Sequence, residues 1–335
     1  MKNTTISALL FGTLLWAPDM VRATDATTPT VESDAADFPA ALQRRAKHLA
    51  ATGKPLELLI ASRLALPAEL SALARSPAAP TQSDAWLAEA IALGSDKPMI
   101  ARAAANRCIV TGQCDIPIAI NTLQTREGDE AVAQLLLWRM AVAREDAGAA
   151  AAAWGRVVQS SRVVDEFAEV VGLLDRMTGG IQPPLEWAEP GRDSETLRFT
   201  MVYSLAAFWI PSLVPVHREC PAKKGTEPKH GCAQLAALMA DSTSPLISSV
   251  GISKMESYAQ EEAERKRWQE RKRQLDWVIE NAIALQGEEA TPAPVDPHDH
   301  LRWISETGEL PAMRRLLAAQ GVAAQPPADW QSSRR

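Results

Sequence analysis

Apolar residues recur along this chain at helical spacing, whereas stretches that alternate apolar with polar residues are nearly absent. Residues 129–143, for example, place Val132, Leu135, Leu136 and Met140 on one side of a helix. Strands need a period of two or runs of β-branched residues, so this pattern excludes a large sheet. The sequence therefore predicts an all-α protein.

Turns that contain proline recur between the predicted helices. Residues Thr52–Leu56 and Ser95–Met99 each follow an Ala-rich helix and place Pro55 or Pro98 at the first position of the next one. Residues 307–311 repeat this arrangement near the carboxyl end. Recurrent hairpins are typical of solenoids, in which each unit buries its apolar face against its neighbours. We therefore expect helical hairpins stacked as an irregular α-solenoid, with a second helical segment that contains one long helix.

Three local predictions accompany this architecture. The long helix is expected over about residues 254–285, where charged residues fill the centre and an apolar stripe follows. Pro67 is expected to begin a short helix separate from the one that starts at Pro55. Arg139 is expected to point outward from the apolar face around it.

The hairpin over residues 129–159 carries a resemblance to a known class of repeat. Ala150 and Trp154 lie four residues apart after a turn, as small and aromatic residues do in the second helix of tetratricopeptide-like (or Sel1-like) repeats. Gln134 and Trp138 stand where that family's first helix has Trp and Gly, which departs from its signature. The resemblance covers about thirty residues closely and roughly 130 loosely. It implies binding of a protein or peptide on a concave surface, but the family's usual Asn and Lys binding residues are not recognisable.

The amino-terminal residues are typical of a secretory signal peptide. One lysine precedes an apolar stretch, Ile6–Ala17, and Val21–Arg22–Ala23 suits cleavage after Ala23. The stretch is shorter than the roughly 20 residues that span a membrane. An uncleaved anchor or a buried first helix is the alternative. The expected location is periplasmic or secreted.

Composition shifts divide the rest of the chain. Glycine and proline mark two linkers, and the last residues are expected to fray. The predicted segments are a signal peptide (1–23), a flexible leader (24–37), a helical-repeat domain (38–178), a linker (179–194), a second helical region (195–286), a linker (287–297), a terminal helical hairpin (298–320) and a tail (321–335).

The four cysteines fall into two close pairs, and export would permit disulfides. Local pairing, Cys108 with Cys114 and Cys220 with Cys232, loses the least loop entropy. A zinc site formed by His217, Cys220, His230 and Cys232 is the alternative, although its spacing is not a standard zinc pattern.

A second group, Asp296, His298, Asp299 and His300, also resembles a metal site. Helix capping by Asp296 before Pro297 is favoured there.

The sequence contains no motif that assigns a reaction. The phosphate-binding, dinucleotide-binding, serine-hydrolase and zinc-protease signatures are missing, so no catalytic residue and no cofactor are expected. The net charge of −6 gives no electrostatic reason to bind nucleic acid. The apolar run over residues 197–210 ends at prolines and is expected to be a buried helix, not a membrane span.

The expected function is a protein- or peptide-binding scaffold of the cell envelope. Such a protein is expected to show a concave face with exposed aromatic residues and no buried constellation of ionisable groups. The alternatives are an exported enzyme on a helical scaffold, which would place perturbed carboxylates or histidines in a pocket, and a metal-binding envelope protein.

Overall fold

In the computed structural model, the described residues are 37–73, 81–112, 114–179, 181, 194–222, 228–285 and 295–333. The predicted signal peptide and nearly all of the leader lie outside them, as does most of both linkers. The described part holds fifteen α-helices and no strand, which confirms the all-α prediction. The helices are α1 Asp37–Ala50, α2 Pro55–Leu73, α3 Gln82–Gly94, α4 Pro98–Thr111, α5 Pro117–Thr125, α6 Ala131–Ala143, α7 Ala147–Gln159, α8 Glu166–Met177, α9 Ser194–Ala206, α10 Val214–Glu219, α11 Cys232–Ala240, α12 Pro245–Tyr258, α13 Glu262–Ala284, α14 Pro297–Thr307 and α15 Glu309–Ala319.

Local sequence explains where many of these helices begin. Proline occupies the first turn of α4, α5, α12 and α14, where its missing N–H costs no hydrogen bond. Carboxylates cap others: Glu130, Asp146 and Asp165 accept backbone N–H groups at the starts of α6, α7 and α8. The turns predicted before Pro55 and Pro98 are present.

Two helix boundaries differ from the prediction. Helix α2 continues through Pro67 to Leu73 without a break. The predicted helix over residues 254–285 is instead two helices, because Ala259 takes an extended conformation after α12. Tyr258 is buried there and its hydroxyl donates to the Cys220 carbonyl (3.1 Å). This contact lies at the end of α12, and α13 packs back against α12.

Helices pack both with their neighbours in the chain and with distant partners. Consecutive pairs such as α1–α2, α6–α7 and α11–α12 contact one another extensively, but α8 also packs against α14, and α7 against α11. One buried cluster joins Phe38 of α1 and Phe167 of α8 with Leu316 of α15. These contacts go beyond the nearest-neighbour stacking that defines a solenoid.

Helix α6 is buried along most of its length. Every residue from Ala131 to Trp138 is buried, as expected for a helix that is apolar on nearly all sides. Gln134 is the buried polar exception. Its side-chain amide donates to the carbonyls of Leu123 and Glu127 (3.1 and 2.9 Å) and its oxygen accepts from Arg156 (2.8 Å). Gln134, which departs from the tetratricopeptide signature, thus connects α5 and α7 to α6.

The described residues that follow α15 pack against α13. This packing differs from the expectation that the tail frays. Trp277 donates its indole N–H to the Ala323 carbonyl (2.9 Å), and Arg273 donates to that of Pro327 (2.8 Å). The rings of Trp277 and Trp330 meet edge to face, 5.2 Å apart. Apolar residues are scattered in this segment without helical spacing, and tertiary contacts hold it in place.

Candidate functional site

A cavity of about 220 Å³ lies between α2, α4, α6, α8 and the segment 207–212 that follows α9. Its walls combine apolar and polar side chains. The apolar ones include Met99 of α4, Leu135 and Leu136 of α6, and Trp209 and Ile210 beyond α9. Ile210 is substantially exposed at 44%, whereas Leu135, Leu136 and Trp209 are buried. The cavity is therefore a partly apolar recess beside an exposed apolar side chain.

Two arginines, Arg63 of α2 and Arg139 of α6, line this cavity. Within the described part of the chain, neither forms an ion pair or a side-chain hydrogen bond, and the Nε of Arg63 is buried without a partner. Burial lowers the pKa of both guanidinium groups from the ordinary value, yet arginine stays charged in proteins. The guanidinium carbon of Arg63 lies 5.3 Å from the centre of the Trp209 ring. The recess thus holds two positive charges that no carboxylate pairs.

The position of Arg139 differs from the prediction that it points outward. It is partly buried, and it follows eight consecutive buried residues on α6. A helix packed on all sides has no outward face at this level, so the side chain extends into the cavity instead. The apolar character of α6 on every side was the sequence signal for this arrangement.

A carboxylate, that of Glu166, also lines the cavity. Glu166 is buried at the first position of α8 and its carboxylate forms an ion pair with Arg102 of α4. Arg102 is only 2% exposed and also pairs with Glu127 and with Glu169 (2.6 Å). We call these four residues the Arg102 cluster. Burial raises the pKa of Glu166 to about 7, and the charge of Arg102 opposes that rise.

Backbone contacts hold Glu166 in place. The carboxylate of Glu130 accepts from the N–H groups of Val132 (3.0 Å) and Val164 (3.0 Å), which joins the start of α6 to the residues just before α8. Asp129 and Arg162 pair across the same junction (3.0 Å). The first turns of α6 and α8, which both contribute to the cavity wall, are therefore held together.

The Arg102 cluster corrects one expectation. A simple binding scaffold was expected to lack a buried constellation of ionisable groups, and this structure contains one. Sequence reasoning missed Arg102 and Glu166 because the members of the Arg102 cluster lie far apart along the chain: Glu127 and Glu169 are separated from Arg102 by 25 and 67 residues. It missed Arg63 because the helices that share the cavity with α2 are distant in sequence. No local pattern reports such pairing.

Two groups of residues were considered as alternative metal sites, and the first is the group around Cys220 and Cys232. Cys220 and Cys232 lie at disulfide distance (1.95 Å), as do Cys108 and Cys114 (1.84 Å), and a sulfur in a disulfide is not a thiolate ligand. His217 and His230 are exposed. Within the described residues, no group of three or more metal-ligating side chains occurs.

The acidic and histidine-rich turn at the start of α14 is a helix cap. Asp296 accepts from the N–H of His298 (2.8 Å), which confirms the capping prediction, and Asp299 pairs with Arg302 (2.6 Å). His300 is buried and stacks on Phe199 with ring centres 5.2 Å apart. Burial lowers the pKa of His300 to about 4.

The disulfide and zinc interpretations predict different chemical states of Cys220 and Cys232. Replacing Cys220 and Cys232 together with serine should lower the free energy of unfolding by about 3 kcal/mol, because the bridge constrains the unfolded chain. The double replacement of Cys108 and Cys114, which close a shorter loop, should lower it by about 2 kcal/mol. Urea unfolding and thiol titration of oxidised protein measure these effects. Free thiols together with bound zinc would contradict the disulfide assignment.

Comparison with known proteins adds no relationship: no family model matches the chain, and no curated protein or solved structure is significantly similar to it. The resemblance to tetratricopeptide-like repeats thus depends on its own residues. In the structure, α6 and α7 form a packed hairpin in which the rings of Trp138 and Trp154 lie 5.8 Å apart. None of the described helices has the length and apolar character needed to cross a bilayer.

Proposed function

We propose that this chain is an exported binding protein whose cavity holds an anionic group attached to a short apolar chain or side chain. The observation that carries the proposal is the pair of unpaired guanidinium groups, Arg63 and Arg139, in one cavity that also has apolar walls. The expected protein or peptide partner becomes more specific in this proposal: it is a molecule that presents such a group. The repeat resemblance and the predicted signal peptide also belong to the proposal. Their support comes from the amino-acid sequence.

Desolvation supports an anionic ligand. A charged group removed from water without a partner destabilises the protein, and an anion that enters beside it offsets that cost. Guanidinium groups donate paired hydrogen bonds to carboxylate, sulfonate or phosphate oxygens. Met99, Leu135 and Leu136 would surround the apolar part of the same ligand.

The size of the cavity limits the ligand. A volume of about 220 Å³ would hold roughly seven water molecules at about 30 Å³ each. The bound group is therefore expected to contain about seven to ten non-hydrogen atoms. Pentanoate and 1-butanesulfonate meet this limit, whereas a four-carbon carboxylate is smaller.

A second candidate is an enzyme that uses Glu166 as a general acid or base. The specific observation in its favour is that burial raises the pKa of this cavity carboxylate to about 7, near the working range of such groups. The residues that line the cavity include no His, Cys or Lys, and the Glu166 carboxylate is occupied by Arg102. Ligand binding is therefore the proposal that the arrangement favours.

Calorimetric titration with 1-butanesulfonate and pentanoate tests the proposal, with 1-pentanol as the uncharged comparison. We expect both anions to bind, and Arg63→Met or Arg139→Met to weaken their binding by about 10- to 100-fold, since each removes a charge-assisted hydrogen bond. Arg126→Met, at an exposed position, is the matched control and should bind as the unaltered protein does. Equal binding of the alcohol, or unchanged affinity in both cavity variants, would contradict the proposal.

A further inference from the structure

The proposed anion site and a buried carboxylate share one cavity. Arg63, Arg139 and Glu166 all line the same volume of about 220 Å³, so a bound anion must lie close to the Glu166 carboxylate. The charge of Glu166 acts on Arg63 in the unliganded protein. An entering anion therefore competes with Glu166 for the same positive charge.

Other charges around Glu166 do not remove this competition. Arg102 pairs with Glu166 but is shared among three carboxylates of the Arg102 cluster, so negative charge exceeds positive charge at the cluster itself. Glu130 adds a further negative charge, and its electrostatic effect reaches both Glu166 and Arg102. The charged groups around Glu166 are Arg63 from α2, Arg102 from α4, Glu127 and Glu130 from the residues before α6, Arg139 from α6 and Glu169 from α8.

We propose that the cavity binds its anion together with one proton from solvent, and that the Glu166 carboxylate accepts this proton. The inference rests on the proposed function. A second negative charge in this partly buried cavity favours the neutral acid, because like charges repel more strongly there than in water. A protonated Glu166 leaves the charge of Arg63 available to the ligand.

The sign of the pH dependence follows from linkage. In the free protein, burial already raises the pKa of Glu166 to about 7, and the bound anion raises it further. Below both values Glu166 is protonated in either state and affinity is independent of pH. Between them, binding takes up a proton, so the dissociation constant increases by up to about tenfold per pH unit as pH rises above about 7.

Titration with 1-butanesulfonate tests this inference, because the sulfonate does not change its own charge between pH 5 and 9. Calorimetry at pH 8 in triethanolamine and in Tris, two buffers that are not anions and whose ionisation enthalpies differ, counts the protons exchanged. We expect uptake approaching one proton, together with the affinity loss described above pH 7.

Two glutamine variants assign the proton. Glu166→Gln should bind the sulfonate with the same affinity at pH 6 and pH 8 and with no proton uptake. Glu309→Gln is the matched control: its pKa is also raised to about 7 by burial, but it does not line the cavity, so the uptake should persist.

The possible failures are distinct. Sulfonate binding without proton uptake in the unaltered protein, which needs no variant to fold, would overturn this inference and leave the proposed function intact. Proton uptake that survives in folded Glu166→Gln would also overturn it, by assigning the proton elsewhere. Absence of binding by both the sulfonate and pentanoate at every pH would overturn the proposed function itself.

Discussion

Replacement of Arg102 by methionine is expected to lower the free energy of unfolding by about 3–5 kcal/mol at pH 8. The substitution keeps an apolar side chain in the space but removes the cation that Glu127, Glu166 and Glu169 share. Glu127 and Glu166 are almost completely buried, so their charges would remain without solvent or a partner. Removal of one member of a buried ion pair is among the most damaging single changes in a protein.

The loss should depend on pH. Burial raises the pKa of both Glu127 and Glu166 even with Arg102 present, and without its charge both values rise further. A carboxylate whose pKa is higher in the folded state takes up its proton on folding, so the variant gains stability as pH falls toward about 5. Urea unfolding followed by circular dichroism at pH 5 and pH 8 measures this.

The control is Arg126→Met, an exposed arginine beside Glu127, which should change stability by less than about 0.5 kcal/mol. If Arg102→Met were as stable as the unaltered protein at pH 8, the Arg102 cluster would not hold the charges assigned to it.

Gly251→Ala is expected to destabilise the protein by about 3 kcal/mol, the upper part of the usual range for overpacking. Gly251 lies where α12 crosses α11. A methyl group there would overlap the backbone N of Ala240 and lie 2.6 Å from the Ala236 carbonyl oxygen. Both neighbours are main-chain atoms, so the helices themselves would have to separate. The hydrogen bond from Ser248 to the Ala240 carbonyl (2.9 Å) crosses the same contact and would be strained.

The matched control is Gly155→Ala, also inside a helix. No atom lies within 4 Å of the added methyl group in that case. Because alanine favours helix over glycine, this variant should gain about 1 kcal/mol. Thermal and urea unfolding of the two variants compare them directly. Equal effects of the two substitutions would show that α11 and α12 do not approach as described.

Much of the helical architecture could be predicted from local signals. Pro55, Pro98 and Pro297 mark helix starts because proline fits the first turn, and the structure has helices beginning at all three. The break between α12 and α13 could not be predicted, since alanine favours helix and no proline or glycine stands at this position. The contact of Tyr258 with Cys220 at this break joins residues that are distant in sequence.

The candidate site could not be predicted from local sequence either, for a different physical reason. Its charged residues come from α2, α6 and α8, and nothing near Arg63 in the sequence separates it from a solvated surface arginine. The apolar character of α6 indicates that Arg139 is partly buried but not which helices face it. Periodicity assigns a residue to a side of its own helix but not to the helices that cover that side. Only the packing around α6 turns these residues into the lining of one cavity.

The packing of α8 against α14 sets an order on biogenesis. Phe167 of α8 and Leu301 of α14 belong to one buried cluster, so this side of α8 is fully covered only after α14 has been synthesised. An emerging chain must keep it partly uncovered while the intervening helices are made, which favours binding by chaperones and slow arrival at the final state.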